Sequence, residues 1–134
     1  MNTTAIPFTH VIANSTEVDY VPFAAPAVGG APGETAPFGE ISVLREAAYN
    51  GNVHVVAFWK VGPATSPLYD VPLGDESGYV IEGSATIELI DSGKSVELKA
   101  GDLYSFAKGT LTRWTIHEPF KKFVVVTDGP AHAE

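Results

Sequence analysis

The chain has 134 residues, of which 45% are hydrophobic, and it carries a formal net charge of −8. This length suits a single domain with its own core, and the absence of Cys excludes disulfides and thiolate metal ligands. Only 8 residues are Lys or Arg, which argues against binding to nucleic acids or anionic membrane surfaces, since both require clusters of basic residues.

The beginning of the chain shows no targeting signal. Its opening, MNTTAIPFTHVIANS, has neither a basic stretch nor an apolar run, and the chain holds no apolar run long enough to span a bilayer. We therefore predict a cytoplasmic protein that contacts neither membranes nor nucleic acids.

Residues 1–40 are rich in Pro, Ala and Gly. The stretch from Pro22 to Gly33 cannot form the interior of a helix, because Pro lacks an amide hydrogen and clashes with the preceding turn. We predict an extended N-terminal arm here. The arm either runs over the surface or adds a strand to a neighbouring subunit, for which Phe8–Ile12 has the β-branched content.

Short strands separated by turn residues follow the arm. Val53–Val61 is apolar on both faces, which is typical of a strand covered on both sides. Ala85–Ile90 and Ser95–Lys99 form a hairpin across the loop 91–94. So many short strands without a long amphipathic helix predict an all-β sandwich or barrel. Glu40–Ala48 is predicted to be a short strand followed by a loop or one helical turn. Further strands are predicted at Leu68–Val71, Tyr79–Ile81 before a turn at Glu82-Gly83, Leu103–Phe106, Leu111–Ile116 and Lys122–Thr127.

Two motifs frame this region. The first runs from Glu76 to Gly83, and the second comprises Lys99–Asp102, Lys108–Thr110 and Arg113–Thr115. They resemble the motifs of the cupin superfamily, in particular those of the small ureidoglycine aminohydrolase-like and ethanolamine-utilisation cupins. The resemblance implies a double-stranded β-helix, the cupin jelly roll, over residues 41–128, followed by a frayed tail at 129–134. We also predict a homodimer with the arm at its interface.

The ligand set of the metal-dependent cupins is incomplete in this chain. The resemblance implies three His and one Glu. The first two His positions hold Tyr69 and Val71, or Asp70 and Pro72 if the gap before Glu76 is shorter, and the third holds Thr112, so that Glu76 alone is kept. A single carboxylate does not hold a transition metal, because affinity comes from several preorganised donors. We therefore predict no cofactor. The alternative is a divergent site for a divalent transition metal, in which Glu76 is joined by Asp70, Asp75 or Tyr69.

Strand parity predicts which side chains face the barrel interior. Aromatic walls with one carboxylate and a few hydroxyls suit a cavity for a small molecule, although the same aromatics also suit a filled small barrel. Glu76 is the candidate general acid or base, because desolvation by aromatic neighbours would raise its pKa. The predicted pocket residues are Trp59, Tyr69, Val71, Glu76, Tyr104, Phe106, Thr112 and Trp114.

The favoured function is the binding of a small polar metabolite in a barrel that lacks the usual metal ligands. The alternative, implied by the resemblance, is an enzyme acting on a small nitrogenous or carboxylate metabolite, with Glu76 as acid or base or as part of a divergent metal site. A further alternative is a non-catalytic accessory protein with a filled barrel. The sequence leaves open whether the protein is an enzyme.

Overall fold

The computed structural model describes residues 10–26 and 35–130. Regular structure in these ranges consists of β-strands, so the predicted all-β class is confirmed, and no helix there could cross a membrane. The strands are β1 (Val21–Pro26), β2 (Thr35–Ala47), β3 (Asn52–Val61), β4 (Ala64–Thr65), β5 (Asp75–Leu89), β6 (Lys94–Lys99), β7 (Leu103–Phe106) and β8 (Thr112–Pro130).

All the strand pairs are antiparallel, and the order across the sheet is β1-β2-β3-β8-β5-β6, with β4 beside β8 and β7 beside β5. The two long strands, β5 and β8, pair with each other over most of their length. One half of β5 also pairs with β7 and the other half with β6, while the C-terminal half of β8 pairs with β3. The long strands thereby join the two layers of the predicted jelly roll.

The long strands change layer beside Gly83. This residue has a φ of +93°, and a Cβ placed on it would overlap the backbone of Pro119 in β8. The register between β5 and β8 shifts around Glu82 and Ser84, as expected for bulges that bend a strand. The predicted turn at Glu82-Gly83 is therefore wrong, because the chain bends there within one continuous strand.

Most of the other predicted strands are confirmed. The strand at 53–61 lies in β3, the hairpin at 85–99 is formed by β5 and β6, and 103–106 is β7. The strands predicted at 111–116 and 122–127 are two parts of the single strand β8. The strand predicted at 68–71 is reduced to one bridge between Tyr69 and Thr112.

The predicted arm supplies part of the sheet. β1 pairs with β2, and Phe23, Ala25 and Phe38 from these strands help to line the barrel interior. The division at residue 40 stays a prediction. The strand predicted at Phe8–Ile12 lies partly outside the described residues, and residues 10–12 have no regular secondary structure. Residues 131–134 of the predicted frayed tail also lie outside them.

The main core is built from aromatic rings in edge-to-face contact. The ring centroids of Trp59, Trp114 and Phe120 lie 6.0–6.3 Å apart, in an arrangement that matches the positive edge of one ring to the negative face of another. The Nε1 of Trp59 donates a hydrogen bond of 3.0 Å to the carbonyl oxygen of Phe38. These contacts fix the indole of Trp59 against β2.

Gly78 of β5 provides the space that the Tyr104 ring occupies. The two residues are cross-strand partners, and a Cβ on Gly78 would overlap the ring. Because the side chains at 76, 78 and 80 share one face of β5, the missing side chain at 78 leaves room above the middle of this face. Tyr104 can therefore lie across β5.

We expect Gly78→Ala to lower the free energy of unfolding by about 1–3 kcal/mol, because the Tyr104 ring must move to admit a methyl group. Urea-induced unfolding measures this loss. Gly62→Ala is the matched control, since a Cβ there meets no atom within 4 Å, and its effect should stay within about 0.5 kcal/mol. Equal stabilities of the two variants would contradict the role of Gly78.

Candidate functional site

Three buried polar side chains from three strands meet inside the barrel: Glu76 on β5, Tyr104 on β7 and Lys122 on β8. The Tyr104 hydroxyl donates a hydrogen bond of 2.6 Å to Oε2 of Glu76. The Nζ of Lys122 lies 3.1 Å from the same oxygen and 2.5 Å from the Tyr104 hydroxyl. We name these three residues the Glu–Tyr–Lys cluster.

Strand register explains why the cluster forms. Tyr104 is paired with Gly78, while Lys122 is paired with Val80 on the other edge of β5. Glu76 and Val80 lie on either side of Gly78 on the inner face. The three polar side chains therefore converge over the glycine, where no side chain of β5 separates them.

Aromatic rings surround the ammonium group of Lys122. Its Nζ lies 4.3 Å from the ring centroid of Trp114, 4.8 Å from that of Trp59 and 5.0 Å from that of Tyr104. The face of an aromatic ring is negative and attracts a cation at such distances, more strongly when water is excluded. The rings thus offset part of the cost of burying the charge.

The ion pair determines the ionisation of the cluster. Burial alone would raise the pKa of Glu76, but the charge of Lys122 and hydrogen bonds from Tyr104, Lys122 and Tyr69 outweigh it and lower that pKa. Glu76 is therefore ionised at neutral pH and can donate a proton only after it has accepted one. The expected rise in the pKa of Glu76 is wrong, because the sequence analysis did not place Lys122 beside it.

Burial and the charge of Glu76 also shift the pKa values of Lys122, Tyr69 and Tyr104. Burial lowers the pKa of the Lys122 amine, and the nearby Glu76 opposes this effect. Burial raises the pKa of Tyr69 and of Tyr104, and the negative charge of Glu76 raises both further. Both tyrosines are therefore neutral hydrogen-bond donors over the whole physiological pH range.

A cavity of about 110 Å³ lies beside the cluster. The polar residues Ser66, Tyr69, Glu76 and Lys122 are among those that line it, while most of the lining residues are apolar. An apolar cavity of about 150 Å³ in another protein accommodates benzene. The space therefore suits a molecule of a few heavy atoms with one polar end.

Several of the residues predicted from strand parity lie at this cavity. Trp59, Tyr69, Glu76 and Trp114 line it. Tyr104 belongs to the Glu–Tyr–Lys cluster and does not itself line the cavity; it is hydrogen-bonded to Glu76, which does.

The remaining predicted pocket residues do not line the cavity. Phe106 packs against Tyr104, with ring centroids 5.1 Å apart. Thr112 is fully buried, and its hydroxyl donates a hydrogen bond of 2.9 Å to the carbonyl of Tyr69. Val71 is buried with a φ of 50°, a conformation that is unfavourable for a β-branched residue. These residues support the segment that carries Tyr69 and the ring of Tyr104.

Lys122 is the functional residue that the sequence analysis missed. It stands at the start of the predicted strand Lys122–Thr127, and no local motif marks it as functional. Counting alternate residues back from Val126 and Val124 reaches Lys122, which shares their inward direction. The signal in the sequence is that Lys122 occupies an inward position of a strand whose neighbouring inward residues are apolar. Its neighbour Lys121 occupies the alternate, outward position.

The donors present do not fit a transition metal. Among residues 10–26 and 35–130, no three His, Asp or Glu side chains come together. Asp75 is exposed and accepts a hydrogen bond from the amide of Lys108, so it does not join Glu76. A divalent ion at Glu76 would meet the ammonium group of Lys122, which lies 3.1 Å from Oε2.

Comparison with known proteins places this geometry in context. Residues 50–123 match the model of the EutQ-like cupin domain family. No curated protein matches the chain.

Solved structures with a similar fold include three bacterial proteins. The polyketide cyclase RemF from Streptomyces resistomycificus has 16% identity and a TM-score of 0.66, covering 91% of this chain and 82% of its own. A predicted oxalate decarboxylase from Thermotoga maritima has 20% identity and a TM-score of 0.63, with coverages of 87% and 98%. A putative ethanolamine utilization protein EutQ from Salmonella typhimurium has 18% identity and a TM-score of 0.57, with coverages of 85% and 99%. At such identities the likeness concerns the fold alone.

We expect Lys122→Met to lower the free energy of unfolding by about 3–5 kcal/mol at pH 7, because the carboxylate of Glu76 is left buried without a countercharge. The double variant Glu76→Gln/Lys122→Met should recover much of this loss. Lys121→Met is the matched control, since the side chain of Lys121 is also mostly buried, 14% exposed, but its partner at 3.7 Å is the exposed Glu82. Its effect should be about 0–1 kcal/mol, because the carboxylate left behind stays in water. Chemical unfolding measures the wild type, these three variants and Glu76→Gln alone, and a loss in the double variant equal to the sum of the two single losses would contradict the coupling.

The difference in unfolding free energy between the wild type and Lys122→Met should depend on pH, and the pKa of Glu76 gives the direction. In the wild type the pKa of folded Glu76 lies below its ordinary value of 4.5, so its contribution to stability is present above that pH and is lost as the pH falls through the folded pKa. In Lys122→Met the pKa of Glu76 should rise, so that stability falls as the pH increases above about 4.5. The gap between the two proteins should therefore widen with rising pH.

Proposed function

Since the chain belongs to the EutQ-like cupin family, we propose that it binds a small metabolite in the barrel cavity without the help of a metal ion. The polar end of the ligand contacts the Glu–Tyr–Lys cluster and Tyr69, and its short body packs against the apolar walls. The observation that supports this function best is a cavity that borders a buried ion pair.

A buried ion pair of this kind is more than a packing element. Replacing such a pair by well-packed apolar residues is often neutral or stabilising, because desolvation of the charges offsets much of their attraction. A barrel selected only for stability would gain little from Glu76 and Lys122. Their position at the wall of a cavity, with pKa values shifted by burial and by each other, is typical of a functional site.

The metal-free state is part of the proposal. In this interpretation Lys122 supplies the positive charge that a metal ion supplies in metal-dependent cupins, and the carboxylate of Glu76 is neutralised within the protein. A ligand would therefore be held by hydrogen bonds and by one ammonium group rather than by coordination.

An enzyme acting on a small nitrogenous or carboxylate metabolite is the second candidate. Charged groups at the wall of a partly apolar cavity support it. Here Glu76, being ionised, would act first as a general base and could donate a proton only after accepting one. The cavity itself is an argument against the third candidate, a non-catalytic accessory protein with a filled barrel.

The predicted homodimer has support on the outer face of the sheet. Strand register places Phe58, Phe123, Tyr79 and Leu103 in one row across β3, β8, β5 and β7. Tyr79 and Leu103 are exposed in the single chain, and covering such a row would bury apolar surface. The cytoplasmic location stays a prediction from the sequence.

A thermal-shift screen with short alcohols, amides, ketones and carboxylates tests the proposed function. A ligand present at about 100 times its dissociation constant stabilises the folded state by about 2.7 kcal/mol and should raise the melting temperature by several degrees. Val124→Phe should abolish the shift, because the larger side chain occupies part of the cavity. Val125→Phe, at the neighbouring outward position, should keep it.

The two variants must first be shown to melt cooperatively, since overpacking typically costs about 1–3 kcal/mol. No shift with any compound, or an equal loss of the shift in both variants, would contradict ligand binding in this cavity.

A further inference from the structure

We propose that Lys122 forms a reversible imine with a small uncharged aldehyde or ketone that enters the barrel cavity. This inference deepens the proposed function and rests on the same cavity. It assigns to the site a covalent chemistry and a class of ligand.

The position of the Lys122 amine carries the argument. The residue lines the cavity and its side chain is buried, whereas the side chains of Lys60, Lys99 and Lys108 are about half exposed or more. A carbonyl compound bound in about 110 Å³ has its reactive carbon held close to Nζ, which raises the effective concentration of the two reacting groups. Burial also lowers the pKa of this amine, which favours the nucleophilic form.

Glu76 is placed to carry the protons of the reaction, since its Oε2 lies 3.1 Å from Nζ. It accepts one proton from the ammonium group, and the free amine attacks the carbonyl carbon. A C–N bond forms, and the π electron pair of the carbonyl moves to its oxygen. Transfer of a proton from nitrogen to this oxygen gives the neutral carbinolamine.

The second half of the reaction expels water. Glu76 returns its proton to the hydroxyl group of the carbinolamine, the C–O bond breaks, and the nitrogen lone pair forms the C=N bond. The products are one water molecule and a protonated imine, and Glu76 is again a carboxylate. One ammonium charge has been replaced by one iminium charge, and no oxidant or reductant takes part.

The surroundings of Lys122 suit the charged product. The iminium nitrogen remains beside the Glu76 carboxylate and the rings of Trp59, Trp114 and Tyr104, which lie within 5.0 Å of Nζ. Electrostatic and cation–π stabilisation therefore persist from the ammonium to the iminium ion.

The lining of the cavity selects the ligand class. Among the residues that the structure describes, Glu76 and Lys122 are the charged ones that line it, and they neutralise each other. A carboxylate on the ligand would lie against an apolar wall without a countercharge, which is unfavourable. The fitting ligands are short aliphatic aldehydes and ketones.

Reductive trapping tests the proposal. The wild-type protein is incubated with propanal or butanone and sodium cyanoborohydride near neutral pH, and the modified lysines are located by peptide mass spectrometry. We expect Lys122 to be labelled about tenfold faster than Lys60, or more. Lys60 is the internal control, because its Nζ also lies over an aromatic ring, 4.2 Å from the ring centroid of Tyr20, but at the surface. The faster labelling is expected because the cavity holds the carbonyl compound beside the amine of Lys122 and so raises the effective concentration of the two reacting groups.

Val124→Phe should lower the labelling rate of Lys122 about tenfold, because the larger side chain fills the cavity. Val125→Phe should leave this rate unchanged. Labelling confined to the exposed lysines of the wild-type protein would overturn the proposal.

The failure of the imine proposal can be told from the failure of ligand binding by adding propan-1-ol and propanamide to the thermal-shift screen. If either raises the melting temperature while propanal leaves Lys122 unlabelled, imine formation is refuted and ligand binding stands. If neither binds and Lys122 stays unlabelled, both proposals fall.

Discussion

The ion pair between Glu76 and Lys122 is the interaction on which the proposed ligand binding depends. An ammonium group 3.1 Å from the carboxylate neutralises it internally, and three aromatic rings hold that ammonium in place. A barrel of the same shape with imidazoles around the carboxylate would attract a divalent cation. In our proposal the ammonium group of Lys122 opposes such binding here. Among the described residues, those that line the cavity are mostly apolar, and the charged ones are one lysine and one glutamate.

The fold is arranged so that this pair can form. Gly78 removes a side chain from the inner face of β5, which lets the Tyr104 ring lie across the strand and donate its hydrogen bond to Glu76. The bend at Gly83 and Pro119 lets β5 and β8 serve both layers, so Lys122 follows the aromatic core residues of β8 into the interior. Phe23 and Ala25 of β1 then line the cavity. Residues far apart in the chain thus depend on one another to bury two opposite charges.

The fold was accessible from the sequence because glycine-marked turns and alternating apolar residues are local signals. Parity also predicted the inward direction of Trp114 and Thr112 correctly. The site was accessible only in part, since the key contact joins residues 46 positions apart and depends on register. Two adjacent lysines such as Lys121 and Lys122 usually both face solvent. Only when 112–130 is recognised as one strand does the alternation of its side chains place Lys122 inside. The pKa of Glu76 was predicted with the wrong sign for this reason: desolvation was recognised, but the countercharge was not.

The central claim is that Lys122 takes the place of a metal ion beside Glu76. The most direct test is elemental analysis of protein purified without chelators, followed by titration with Mn²⁺ and Ni²⁺ while the fluorescence of Trp59 and Trp114, which flank the cluster, is recorded. The account predicts far less than one metal ion per chain and no saturable change in fluorescence. Near-stoichiometric metal, or saturable quenching that Glu76→Gln abolishes, would contradict it.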